Sequence, residues 1–211
     1  VEIKGENSLK KTKQWEIGTT ETGSKLLKDL FEGVKLFDYP KPATLIKYLA
    51  EISTNENDII LDFFAGSGTT GDAVMQLNAE DNGNRKYILV QLPEKIDSKK
   101  DKTAYDFVKN ELKIENPTIF DICKERLIRA GKKIQEEQTK NKDLFSKESK
   151  QDFGFKLFET TPIWEDYNLE AESFDPQTKL FDESKLSKGD LKTLLTTWKT
   201  YDGFSLTQNL K

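Results

Sequence analysis

The nine residues Asp62-Phe63-Phe64-Ala65-Gly66-Ser67-Gly68-Thr69-Thr70 (DFFAGSGTT) decide the fold. An aliphatic run, Ile59-Ile60-Leu61, precedes them, and an amphipathic stretch runs from Ala73-Val74 to Leu77 after them. Strand, glycine turn and helix in that order form the ligand-binding corner of a doubly wound α/β sheet. Glycine is required because a ligand there lies against bare backbone. Gly66 and Gly68 adopt positive φ without steric cost and leave the amides from Ala65 through Ser67 to Gly68 unobstructed. The spacing Gly66-x-Gly68-x-x-Gly71 also satisfies the dinucleotide fingerprint, so the glycines alone do not choose the cofactor.

Neighbouring residues narrow the choice. Asp62 ends the strand, where a carboxylate repels a pyrophosphate but pairs with the ammonium of a zwitterionic ligand. Phe64, preceded by Phe63, offers a flat apolar wall to a nucleoside or a sulfonium, and Thr69 and Thr70 open the helix. Together these favour S-adenosylmethionine over NAD. A nicotinamide-dependent oxidoreductase stays as the alternative, and a tight turn with no ligand is the bland one. A second strand is expected over 86–92. At its end an acid normally accepts both ribose hydroxyls, but here the position holds Gln91, whose amide oxygen carries no charge. Glu94 is a substitute acceptor, and Gln91 as an ordinary strand-end polar residue stays open.

Around this centre the periodicity predicts a short helix from a Ser24 cap through Phe31, with Gly33 ending it. Pro42 suits the first turn of a helix over 42–53 whose buried face is Leu45, Ile46, Leu49 and Ile52. Strands near 58–62 and 86–92 flank a helix from Thr69 to Leu77. Another helix is expected over 103–112. Thr118 and Asp121 resemble a capping box opening a long helix to about residue 138, with Ile119, Ile122, Cys123, Leu127, Ala130 and Ile134 inward. Residues 139–152 read as a solvated linker, FGFKLFE (153–159) alternates as a third strand, and Ser187 with Asp190 caps a helix over 188–200.

Composition bounds the class. The 211 residues can bury a substantial core, and the absence of histidine removes His-based catalysis and His metal sites. One cysteine, Cys123, excludes an internal disulfide framework and fits a reducing, cytoplasmic setting. No apolar run approaches 18 residues, so no membrane partner is expected. Net charge is −4, which argues against strong DNA binding by this chain alone. Residues 124–150 nevertheless hold nine Lys or Arg against five acids, +4, including Lys124, Arg126, Arg129, Lys132 and Lys133. A nucleic-acid patch and a solvated helix face both fit that run.

Three stretches in order carry a family resemblance: FDYPKP (37–42), DFFAGSGTT (62–70) and GNRKYILVQLPE (83–94). They resemble the cofactor half of adenine-specific DNA amino-methyltransferases, most of all the modification subunits of type III restriction-modification systems. DICKERLIRAGKKI (121–134) and FGFKLFE (153–159) resemble the downstream stretches of those subunits, and the likeness thins beyond Trp164. The resemblance implies part of a Rossmann-like methyltransferase sheet and S-adenosylmethionine as cofactor. Its site would comprise Tyr39, Lys41 and Pro42, the turn from Asp62 and Phe63 to Thr70, and Gln91. In it the YPKP segment closes over the methionine end, Lys41 pairs with the carboxylate and Tyr39 packs beside it.

The same family carries an Asp-Pro-Pro-Tyr type tetrapeptide that holds the target amine, and none occurs here. Pro40 and Pro42 belong to YPKP, while Pro93, Pro117, Pro162 and Pro176 stand singly. In this subclass the tetrapeptide and the target-recognition region precede the cofactor motifs. The resemblance therefore implies a carboxy-terminal, cofactor-binding fragment with no catalytic residue and no metal ligand of its own. Residues 1–20 would be a loose upstream remnant, 21–165 a partial methyltransferase domain and 166–211 an extension. The whole subunit would methylate a base flipped out of DNA, as a homodimer working with a restriction (helicase-nuclease) subunit. The first strand would then have a bare apolar edge, which invites self-association unless the termini shield it. A non-enzymatic assembly module of such a complex is the remaining alternative.

Overall fold

The computed structural model describes residues 16–140, 151–160, 187–206 and 208. They fall in two compact units, 1–154 and 155–211. The first contains α1 (Thr20–Leu30), α2 (Ala43–Ser53), β1 (Ile59–Asp62), α3 (Thr69–Asp81), β2 (Lys86–Leu89), α4 (Lys102–Asp106) and α5 (Ile119–Lys140). A π-helical turn, Phe107–Glu111, continues α4. β1 and β2 are parallel, with Ile59 opposite Lys86 and Asp62 opposite Leu89. Hydrogen bonding carries on past β2, since Val90 N–H donates to Asp62 O (2.8 Å) and Ala65 N–H to Val90 O (3.1 Å). Parallel neighbours need a crossover, and α3 supplies it. The unit is a mixed α/β fold around a small parallel sheet.

One face of that sheet is packed closely. A Cβ on Gly71 of α3 would lie 2.6 Å from Leu127 Cδ2 of α5 and 3.1 Å from Leu89 Cδ1, so glycine lets strand and both helices approach. The alternate positions Ile59, Leu61 and Phe63, with Ile88, Val90 and Leu92, are exposed. Parallel sheets are ordinarily covered on both faces, so this apolar surface is unusual. A separate core gathers Leu27, Phe31, Leu36, Ile96, Ala104, Val108 and Ile122. Phe31 and Phe107 meet there edge to face at 5.6 Å.

Helix ends obey local chemistry. α1 starts before Ser24, because Thr19 is a better cap: Thr19 and Thr22 satisfy each other reciprocally, and Ser24 lies inside the helix. At α5, Asp121 Oδ2 accepts both the Thr118 N–H (2.9 Å) and its hydroxyl (2.6 Å). The strand expected over 153–159 does not form: residues 151–160 have no strand. A strand exists only with a partner to complete its hydrogen bonds, and none lies beside it among the described residues. Phe153 lies against Gly131 instead, 3.2 Å from where a Cβ would stand, and Gln151 Nε2 donates to Asn78 O and Gly83 O. The second unit contains α6 (Lys188–Tyr201), with the expected reciprocal cap between Ser187 and Asp190. Bonding to Ser187 holds the Asp190 carboxyl below the usual carboxylate range. Among the described residues no helix is long and apolar enough to cross a membrane.

One buried group gives a pH prediction. The Tyr87 hydroxyl is buried without a hydrogen bond among the described residues. Burial, then the neighbouring Cys123 and Asp152, pushes its ionisation up to about 12 from 10.0. Folding therefore favours neutral Tyr87. That contribution is complete below pH 10 and is lost as pH rises through the folded value. Tyr87→Phe is expected to raise stability by about 1 kcal/mol at neutral pH, because the orphaned hydroxyl disappears. It should also flatten the alkaline fall, leaving the part due to Cys123, whose thiol burial pushes up to about 11. Melting temperatures from neutral pH upward read both effects, and a lower melting point for the phenylalanine variant would contradict them.

Candidate functional site

The glycine turn is held by its own acid. Asp62 Oδ1 accepts the Phe64 N–H (3.0 Å) and Oδ2 accepts the Thr70 hydroxyl (2.6 Å), so one carboxylate joins both ends of the turn. Each oxygen keeps a further lone pair for a ligand donor. Gly66 and Gly68 sit at φ +53° and +80°, the left-handed region their residue type serves. At Gly66 a Cβ would meet only the Phe37 ring, 3.5 Å away, and the Phe64 carbonyl at 3.9 Å, leaving the backbone open there. At Gly68 it would stand 3.1 Å from both the carbonyl oxygen and Sγ of Cys123. Gly68 is the N-cap of α3, and no side chain caps that helix.

The sequence-predicted residues divide by what their side chains do. Phe64 is 86% exposed and Tyr39 77% exposed, with Phe63 and Lys41 also open to solvent. Tyr39 holds φ +53°, a conformation uncommon for a bulky residue and one that clusters at functional sites. Pro42 is buried as the N-cap of α2. Phe37 brings the FDYPKP stretch against Gly66. From the other side α1 abuts it, since a Cβ on Gly23 would be 2.6 Å from Pro40 O and 2.9 Å from Pro42 N.

Ala65, Ser67, Thr69 and Thr70 are buried, and the three hydroxyls are engaged within the protein. Gln91 Oε1 accepts the Gly66 N–H (2.7 Å) while Nε2 donates to Leu92 O (3.0 Å). Its amide thus braces the turn from the end of β2. Phe37 also lines a cleft of about 200 Å³ with Lys35, Asp38 and residues 100–104, which none of residues 62–70 borders.

One pair was missing from the candidate residues. Arg126 of α5 is 2% exposed and pairs with Asp72 of α3, at 3.0 Å from Nε and 2.9 Å from Nη2 to Oδ2. Its Nη1 donates to Ser67 Oγ (3.1 Å) and Thr69 Oγ1 (2.7 Å). Position 126 falls on the inward stripe marked by Ile122, Cys123, Leu127 and Ala130, so periodicity contained the signal. Neither a basic patch nor a solvated face describes it. Arg129 is also taken, by Glu125 (2.8 Å) and Glu32 (3.0 Å) and by the rings of Phe31 and Phe107. Hydrogen bonds to both glutamates raise its pKa against the opposing effect of burial. Of the five cations in that run, Lys132 and Lys133 are exposed.

An acid-ended strand, a bare glycine turn and exposed aromatic residues thus stand together at one corner of the sheet. Sequence comparison adds that residues 2–96 of the chain match the family described as DNA methylase. Over most of its length it is a relative of the modification subunits of type III restriction-modification enzymes. It is 38% identical over 191 residues to the EcoPI Mod subunit of Escherichia phage P1, covering 90% of this chain and 26% of that one. With the EcoP15I Mod subunit of Escherichia coli the identity is 36%, over 86% of this chain and 24% of the relative. With the StyLTI Mod subunit of Salmonella typhimurium it is 31%, over 92% and 31%. The chain thus spans between 24% and 31% of the length of these relatives.

Proposed function

We propose that this chain is the cofactor-binding portion of a DNA adenine amino-methyltransferase, the modification subunit of a type III restriction-modification system. S-adenosylmethionine is seated at the glycine turn. The observation that carries this is the turn itself, with two left-handed glycines, open backbone at Gly66, Asp62 at the strand end and Phe64 exposed beside it. Asp62 takes the ammonium, Phe63 and Phe64 form the apolar wall, and the Ala65 to Gly68 backbone lies along the ligand. Tyr39, Lys41 and Pro42 serve the methionine end. Ser67, Thr69, Thr70 and Gln91 shape the turn from within.

The cofactor supplies a sulfonium methyl for in-line transfer to an amine. The residues of this chain bind and orient it, and proximity is their contribution to rate. The groups that hold a flipped-out adenine lie outside this chain, since no Asp-Pro-Pro-Tyr type string occurs in its 211 residues. The bare apolar sheet face supports that division, because it is a surface that helices of a larger α/β fold would cover. DNA recognition, a homodimer and the restriction subunit belong to the whole protein.

A nicotinamide cofactor fits less well. It needs an acid after the second strand, and Gln91 is neutral with its oxygen already on Gly66. Calorimetry with S-adenosylmethionine and NAD in parallel discriminates, with binding expected only for the former. Asp62→Ala is expected to weaken S-adenosylmethionine at least about tenfold, the loss of one charge-assisted hydrogen bond, with the circular dichroism unchanged. Equal affinity in that variant would remove Asp62 from the site.

A further inference from the structure

We propose that Arg126 is a positioning residue for the cofactor: from α5 it fixes Ser67 and Thr69 on either side of Gly68 and so holds the glycine turn in its ligand-ready shape. This rests on the seat proposed above. Arginine presents a rigid planar fork of donors, and here the fork is divided between two tasks. Nε and Nη2 meet a single oxygen of Asp72, which neutralises the charge at the first turn of α3. The other Asp72 oxygen accepts Gln76 Nε2 (2.8 Å). An anchor between two helices needs no more than that. Nη1 goes further and reaches both hydroxyls that bracket Gly68.

Bracketing matters because Gly68, at φ +80°, has more alternative conformations than any other residue type. Pinning the side chains before and after it restricts those alternatives. The same helix closes the back of the turn, where the Cys123 carbonyl and sulfur stand 3.1 Å from the Gly68 Cβ position. Ligand affinity then depends on a residue that the ligand never touches, through a turn already ordered when it arrives.

The test is Arg126→Lys in this same chain, examined by thermal melting, amide exchange over 64–70 and calorimetry with S-adenosylmethionine. Lysine keeps a cation for Asp72 but, as a single point donor, cannot also hold two hydroxyls. The expected result is a folded protein with exchange at the turn about tenfold faster and affinity about tenfold weaker, the equivalent of one charge-assisted hydrogen bond. A merely structural role would change melting and leave the affinity of the folded protein alone. Should the lysine variant not fold, the uncharged pair Asp72→Asn with Arg126→Met takes its place, with the same expected losses. Wild-type affinity and wild-type exchange in the folded variant overturn the role of Arg126 and leave the seat standing. A wild-type chain that does not bind S-adenosylmethionine removes the seat, and this proposal with it.

Discussion

Asp72→Ala is expected to cost about 3–5 kcal/mol of folding stability, the effect of leaving a buried guanidinium without its counter-charge. Arg126 is among the largest fully buried side chains of the described residues, so water cannot replace the lost carboxylate. Ser67 and Thr69 would still accept from it, but neutral oxygens do not balance a charge. Small domains have only about 5–15 kcal/mol in total, so this one substitution should take a large share. Urea unfolding monitored by circular dichroism measures it, and a loss below about 1 kcal/mol would mean the guanidinium finds solvent. The exposed pair Lys35–Asp38 (2.5 Å) is the comparison: breaking it should change little, since water and salt screen both partners.

Gly23→Ala is the second large effect, and its sign is informative. In the interior of an ordinary helix this change stabilises by about 0.5–1 kcal/mol. Here the new methyl would meet Pro40 O at 2.6 Å, Pro42 N at 2.9 Å and Lys41 C at 3.0 Å, all backbone atoms that cannot rotate aside. A loss of about 2–3 kcal/mol is expected, as in overpacked cores. The Pro40–Pro42 backbone must also move away from α1, taking Tyr39 and Lys41 with it. Melting temperature and S-adenosylmethionine affinity should therefore fall together. A more stable variant would show that α1 and the YPKP backbone are not in contact.

The strand, turn and helix at 59–81 were legible because local signals, an aliphatic run and spaced glycines, agree there; the helix itself is buried on every side over 69–75 rather than amphipathic. The α6 cap at Ser187 and the α5 start at Thr118 were legible for the same reason. Thr19 was passed over because Ser24 also has a capping side chain, and the reciprocal bonds between Thr19 and Thr22 distinguish the two. The alternation of residues 153–159 was real in burial as far as Phe155 but had no partner strand among the described residues, which is a non-local fact. Arg126 was misjudged on charge. A cation counts as surface until a carboxylate 54 residues away in sequence is brought to it by folding. Ser67, Thr69 and Gln91 showed their positions in the sequence but not their direction, because polar side chains at a turn can face ligand or protein equally well.

Cys123 is the only thiol in the chain, and its sulfur is pressed against Gly68. A thiol-modifying reagent has no other target, and it cannot attack without α5 first parting from the turn. The speed of labelling under native conditions is therefore a clock for that parting, carried by the natural sequence with no dye or tag. Whatever ligand clamps the corner shut should slow the clock, and whatever loosens it should make it run faster.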